Sequence, residues 1–422
     1  MREMKDSGIE WIGAIPKEWN IYRNKNAFSC SKELVGDNSQ DTQLLSLTTK
    51  GIKLKDINNP EGKLPESFDT YQYVKKDEMV MCLFDLDCSA VFSGLSPYDG
   101  MISPAYKVLT CSDKMLPTYA DYWFTYISHG RKFNHYAKNI RYTLNYEEFA
   151  SLPMLFPSME EQRRIADYLD EKCAKIDAII KKQQEIIEKL KEYKLSVITE
   201  TVTKGLDPNV KMKDSGVEWI GEIPDAWAVT SIARIAIVVR GASPRPAGDP
   251  LYFNGSDVPW LTVAEVTNGK GKYINSTETF LTFEGAKQSR LVEPGTLLLS
   301  NSGATLGVPK ITNIEGCIND GSVAFIDLKI NKDYLLYLFS CRTNELRKQM
   351  QGYGQPNLNT TIVKEIKIPL PTSKEQLEIA DCLDKKCELI DKTIEDRQNA
   401  IDKLQEYRKS LIYEVVTGKR EV

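Results

Sequence analysis

The sequence predicts an α+β protein in which two pseudo-symmetric globular domains are separated by a pair of long antiparallel coiled-coil helices. Three observations predict this. KDSGIEWIGAIP, Lys5 to Pro16, returns as KDSGVEWIGEIP, Lys213 to Pro224, 208 positions later. PSMEEQRRIADYLDEKCAKID from Pro157 is echoed at an offset of 214 by PTSKEQLEIADCLDKKCELID from Pro371. The echoed stretches are helical in pattern, whereas the residues before each are broken into short β-type runs. The chain is therefore a duplication, with divergent fronts and matched rears. The expected divisions are 1–156, a first globular domain; 157–207, a central helix; 208–370, a second globular domain; and 371–422, a C-terminal helix.

In the fronts, the β-type runs include residues 43–47, 78–84, 258–262 and 296–300. Helical patches follow around 119–133 and 334–350. Trp11 and Trp219, inside the repeated opener, read as packing residues that dock the start of each front on the helices. The sheet order is not legible at this level.

Each rear segment opens after proline with a hydroxyl residue three positions before a glutamate, Ser158 with Glu161 and Thr372 with Glu375. That spacing fits a capping box. No Pro or Gly interrupts either segment before Gly205 and Gly418, which fit C-terminal stops. The first seam reads Leu169, Cys173, Ile176, Ile180, Gln183, Ile187, Leu190, Lys194, Val197. The second reads Leu383, Cys387, Ile390, Ile394, Arg397, Ile401, Leu404, Arg408, Leu411, Val415. The alternating steps of four and three are the coiled-coil pattern. About 45 residues at 1.5 Å each make a rod of about 65 Å. Gln183 and Arg397 are equivalent at the 214 offset; they either fix register or leave a leaky stretch of seam.

Composition narrows the function classes. No run of 18 apolar residues is present, so no membrane span is expected. No signal-peptide pattern opens the chain, and nine cysteines are scattered without a CxxC pair, which reads as reduced thiols in the cytoplasm. With two histidines and no ligand spacing, no metal site is expected. There is no phosphate loop, no glycine-rich cofactor fingerprint and no nucleophile elbow, so no catalytic residue and no cofactor are expected. The net charge of −4 confines any nucleic-acid role to local basic patches.

Two such patches lie just upstream of the helices. Residues 131–146 hold Arg131, Lys132, Lys138 and Arg141 without an acid, interleaved with Phe133, Tyr136, Tyr142 and Tyr146. Residues 347–361 hold Arg347 and Lys348 with several amides, again without an acid. Arg and Lys neutralise phosphates, and Asn and Gln can bond adenine bidentately. The candidate DNA contacts are Lys138, Arg141, Tyr142 and Asn145 in the first front. In the second they are Gln351, Tyr353, Gln355, Asn357 and Asn359, with Arg240, Ser243 and Arg245 of the RGASPRP loop. The plain alternative is a solvated basic face with tyrosines partly in the core, and a merely structural loop at RGASPRP.

Taken together, the chain resembles the specificity subunits of type I restriction–modification systems. The resemblance rests on the doubled KDSG[IV]EWIG…IP opener, the Pro369-Leu370-Pro371 lead-in and the doubled EQ…IA..LD…ID helix. Within the fronts it rests on VPWLT from Val258, SGAT from Ser302 and YDGMISPAY from Tyr98. The resemblance implies that each front is a target recognition domain reading one half of a bipartite site on double-stranded DNA. It implies helices that set the gap between half-sites and dock modification subunits, two of them, which carry the methyl donor. Restriction subunits with ATP-dependent translocase and nuclease activity join these. The chain itself is then non-catalytic. The competing reading is a coiled-coil adaptor with two ligand-binding heads and no nucleic-acid role.

Overall fold

The protein is described by a computed structural model, which covers every residue except Met1, Ser31, 57–66, 87–91, 138–141, Lys270 and 350–357. Four helices longer than ten residues occur among the described residues: α1 (Pro117–His129), α2 (Met159–Lys204), α3 (Lys332–Gln349) and α4 (Ser373–Val416). The chain forms two compact units, Met1–Gln183 with Asn399–Val422, and Gln184–Gln398. Each long helix thus contributes one half to each unit, where the expected divisions set the helices apart as spacers.

The repeated opener is a β-hairpin, Met4–Asp6 with Ala14–Pro16 in the first unit and Met212–Asp214 with Glu222–Pro224 in the second. Its loop explains the near-identical residues. The carboxylates of Asp6 and Asp214 accept the N–H of Gly8 and Gly216 at 3.0 and 2.9 Å. Those glycines have φ of 69° and 68°, a conformation that costs other residues energy. After the hairpin, Asn20–Arg23 pairs antiparallel with Pro153–Phe156, and Ala228–Ser231 with Lys367–Leu370. The pairing brings the start of each front beside the residues that lead into its own long helix.

A buried tryptophan then ties three segments together. Trp19 Nε1 donates to Glu161 Oε2 at 2.8 Å, and Trp227 Nε1 donates to Glu375 Oε1 at 3.0 Å. Thr372 and Glu375 form the expected reciprocal cap on α4. On α2, Ser158 Oγ accepts from the Glu161 N–H at 3.2 Å, while the Glu161 carboxylate turns to Trp19 and Arg2. The far helix end meets the same ring. A Cβ on Gly205 would lie 3.2 Å from Trp227, and one on Gly418 2.4 Å from Pro16 and 3.1 Å from Trp19. Glycine at these stops therefore serves close packing as well as a φ of 78° and 70°.

Within each unit the two helices run antiparallel. In the first, Leu169, Cys173 and Ile176 share a buried cluster with Leu411, Ile412, Val415 and Val416, and Ile180 and Leu404 lie against it. Further along, Arg408 pairs with Asp177 at 3.5 Å. In the second, Ile198 and Val202 cluster with Ile379, Leu383 and Cys387, and Lys194 pairs with Asp391 at 2.7 Å. The two ion pairs are equivalent at the 214 offset. Exposed pairs of this kind contribute little stability, so their repetition speaks for register. Ile187, Ile390 and Ile401 are buried, while Leu190 and Ile394 are half-buried. Gln183 is half-buried and Arg397 exposed. One seam expectation shifts: Ile198 is buried in place of Val197, which is half-buried. A straight helix drifts by about 20° per heptad against a strict seven-residue repeat, so the buried line steps on by one position.

α1 and α3 lash each front to the helices by the same contacts. Tyr119 donates to the Val416 carbonyl at 3.5 Å and Tyr334 to that of Val202 at 3.1 Å. Tyr122 donates to Asp170 at 2.6 Å and Tyr337 to Asp384 at 2.5 Å. In the second unit Lys272 bridges Asp333 and Asp384 at 2.7 and 2.8 Å. Burial works against the Lys272 charge, but the two carboxylates outweigh it and raise its pKa.

The sheets differ. The first unit has a four-stranded antiparallel sheet in the order Phe28–Cys30, Lys107–Cys111, Met79–Met81, Ser93–Leu95. The second has a five-stranded sheet in the order Ile237–Arg240, Ser322–Ile326, Leu297–Ser300, Pro309–Thr312, Tyr273–Ile274, antiparallel but for its last pair. A four-stranded sheet, Phe280–Leu281, Phe253–Leu261, Gly316–Ile318 and Arg290–Val292, accompanies it.

Asp121, on α1, is a largely buried carboxylate. Burial pushes its pKa up to about 6, aided by nearby Asp170 and opposed by the Leu95 N–H it accepts and by Arg408. The folded value lies above the unfolded one, so ionised Asp121 opposes folding. That penalty is full above pH 6 and fades as pH falls toward 4. Asp121→Asn is expected to stabilise the protein by about 2 kcal/mol at pH 8 and by roughly a third of that at pH 4.5. Urea unfolding at the two pH values checks this, and an equal effect at both contradicts it.

Candidate nucleic-acid interface

In the first unit, the 131–146 segment divides between core and surface. Arg131 has a φ of 48° and opens a single turn, Lys132–His135. Phe133 is buried among Phe92, Phe124 and Phe149, with ring centroids 5.1, 6.2 and 6.0 Å away. The Tyr136 hydroxyl accepts from Trp11 Nε1 at 3.2 Å, and Tyr146 packs on the core. At these three positions the aromatics interleaved with the cations belong to the core, as the plain alternative for this segment has it. Tyr142 is 37% exposed with a φ of 44°. Lys138 and Arg141 lie outside the described residues.

Asn145 and Asn359, matched at the 214 offset, are helix caps. Asn145 accepts from the Glu148 N–H at 2.8 Å, and Glu148 reaches back to the Asn145 N–H at 2.8 Å. Asn359 accepts from the Ile362 N–H at 2.9 Å. The residues before them, Leu144 and Leu358, are buried. Capping accounts for the match between halves without any base contact. Gln351, Tyr353, Gln355 and Asn357 lie outside the described residues.

In the second unit, the RGASPRP loop is organised by a residue that the sequence reading missed, Asp320. Its carbonyl accepts from Arg240 Nε at 2.9 Å, its carboxylate accepts from Ser243 Oγ at 2.5 Å, and its other oxygen lies 3.9 Å from Arg245 Nη2. The Arg245 N–H donates to Gln288 at 3.1 Å, and Ser289 donates to the Ala242 carbonyl at 2.6 Å. Arg240 pairs in register with Val323, and Ser300 with Ser322, so the loops after 240 and 300 and before 322 gather at one end of the five-stranded sheet. Buried Asn301 sits there as well. Among the described residues, its amide atoms, the side-chain amide oxygen of Asn319 and the Ser322 hydroxyl have no hydrogen-bond partner. Gly241 was the available signal: a Cβ there would lie 2.1 Å from the Asn319 carbonyl, so the loop crosses the 318–320 backbone in contact.

Among the described residues, no group of three His, Cys, Asp or Glu is placed to hold a metal ion, and no helix is long and apolar enough to cross a membrane. The arrangement offers anchored donors and acceptors at a loop cluster, which suits recognition of a polar surface.

Residues 224–403 match the family described as Type I restriction modification DNA specificity domain. The MjaVIII specificity subunit of Methanocaldococcus jannaschii is 28% identical over 291 residues, 65% of this chain and 63% of that protein. The putative MjaX specificity subunit of the same organism is 22% identical over 97% of this chain and 96% of its own length. The chain is similar to type I restriction enzyme specificity subunits. The MjaIX specificity subunit is 32% identical, but over 39% of the chain and 38% of that protein. The MjaVIII and MjaIX matches thus span less than two thirds of those relatives. The specificity-subunit fold also holds across solved structures. A chain solved in work on complex assembly and conformational transition of the type I R-M system aligns at a TM-score of 0.74, with 15% identity over 96% of this chain and 99% of that one. The HsdS subunit from Thermoanaerobacter tengcongensis aligns at 0.51, with 16% identity over 96% and 98%.

Proposed function

We propose that this chain is the DNA sequence-recognition subunit of a type I restriction–modification enzyme. Each globular front reads one half of a bipartite target. The paired helices set the gap between half-sites and dock the modification subunits, two in number, to which the restriction subunits add. The chain acts in the cytoplasm and carries no catalytic step of its own. The observation that carries this reading is the contrast between a scaffold repeated contact for contact and two fronts with unlike sheets and loops. Trp19 and Trp227, Tyr119 and Tyr334, and the Asp177 and Asp391 ion pairs recur, whereas the Asp320-centred loop has no counterpart among the described residues of the first front. A common frame with divergent reading loops is what two different half-sites require. Base contacts supply the sequence choice, and basic residues on phosphates supply position.

Binding of the assembled complex to duplex DNA tests this against the adaptor reading. Affinity is expected to fall linearly in log–log form as salt rises, with a slope of several ions released, and to favour one bipartite sequence. An assembled complex that shows neither salt-dependent nor sequence-dependent DNA binding contradicts the proposal.

A further inference from the structure

We propose that the second front reads a guanine in its half-site with the Arg245 guanidinium, and that Asp320 is the positioning residue that presents it. The proposal rests on the reading of the chain as a DNA-recognition subunit and adds the base class and the residues.

The Arg245 backbone is held while its head is exposed and only loosely paired. Its N–H is tied to Gln288, and the preceding residues are pinned by Gly241 and Ala242 N–H donation to Ser322 and Ile318 carbonyls at 3.0 Å each. Pro246 follows and fixes its own φ. The side chain itself is 70% exposed, with its contact to Asp320 at a loose 3.9 Å. A stiff base with an open fork is the requirement for bidentate reading, since little order remains to be imposed on binding.

Two ligands suit an open guanidinium, a phosphate and the O6/N7 edge of guanine. Asp320 decides between them. Its carboxylate is fixed by Ser243, and an incoming phosphate beside Arg245 would meet that second negative charge. The guanine edge carries no net charge and meets a weaker repulsion. The pair also raises specificity: a base that presents a donor to Arg245 leaves the guanidinium held on Asp320 and gains nothing. Arg240, turned onto the Asp320 carbonyl, supports the loop rather than the base.

The test uses the full chain assembled with its modification subunits and a duplex panel in which each base pair of the second half-site is varied. Arg245→Ala is expected to weaken binding to the native site by about 10- to 100-fold and to abolish discrimination at one G·C position, with the first half-site and the salt slope unchanged. Arg245→Lys should not restore that discrimination, because an ammonium lacks the planar fork. Asp320→Asn should keep the thermal midpoint and relax discrimination at the same position. If Arg245→Ala weakens all sequences alike and lowers the salt slope by about one, Arg245 holds a phosphate and the proposal is overturned. If selectivity at every position survives both Arg245→Ala and Asp320→Asn, it is overturned as well. Failure of the unmutated complex to prefer any sequence overturns the DNA-recognition reading itself, a separate outcome.

Discussion

Trp227→Ala is expected to destabilise the second unit by about 3–5 kcal/mol, the usual cost of removing a buried large aromatic side chain. The ring is 2% exposed, donates to Glu375 of the α4 cap and lies against Gly205 at the end of α2. Its loss opens a cavity where two helix ends and the opener hairpin meet. Trp227→Phe keeps most of the volume and removes the N–H, so it should cost about 1–2 kcal/mol. Trp19→Ala should behave alike in the first unit, where Glu161 would keep Arg2 as a partner. Denaturant unfolding gives the size, and amide exchange gives the place. Protection should fall first in residues 198–204 and 373–380. A loss under 1 kcal/mol for the alanine variant contradicts the view that this ring is the joint of the unit.

The second large effect concerns length. Deleting residues 184–190 together with their equivalents 398–404 removes one heptad from each helix and keeps the apolar seam in phase. Seven residues are about 10.5 Å of helix, close to the rise of three base pairs. The gap between half-sites should shorten by about three base pairs, with both half-site sequences unchanged. Mapping the modified sites of cells that carry the variant reads this directly. A changed base preference with an unchanged gap contradicts the role of the helices as the spacer.

Much of the scaffold was legible because it was written twice. Repetition marks residues that must satisfy the same geometry in two places: the Asx turn at Gly8 and Gly216, the cap pairs, and the seam positions from Leu169 and Leu383. The helices were readable from periodicity and caps, and the structure departs from the seam at Ile198, where a straight helix outruns the heptad, and at exposed Arg397. The sheets were not legible, since their order depends on pairings between strands such as Ile237–Arg240 and Ser322–Ile326, which lie about 80 residues apart. The site was the least legible part. Asn145 and Asn359 look like base readers by composition, but capping uses the same side-chain oxygen. Phe133 lies among cations in the sequence, but its ring belongs to the core. Asp320 carried no motif; only the fold brings it to Arg240, Ser243 and Arg245.

The central claim is that one chain holds two unlike readers at a set distance along a duplex. Sequencing of methylated adenines in cells with and without this gene tests it most directly. The account predicts that one motif vanishes with the gene, and that it consists of two different specific half-sites flanking a gap of fixed length with no base preference. An uninterrupted motif, two identical half-sites, or a methylation pattern that does not change would contradict it.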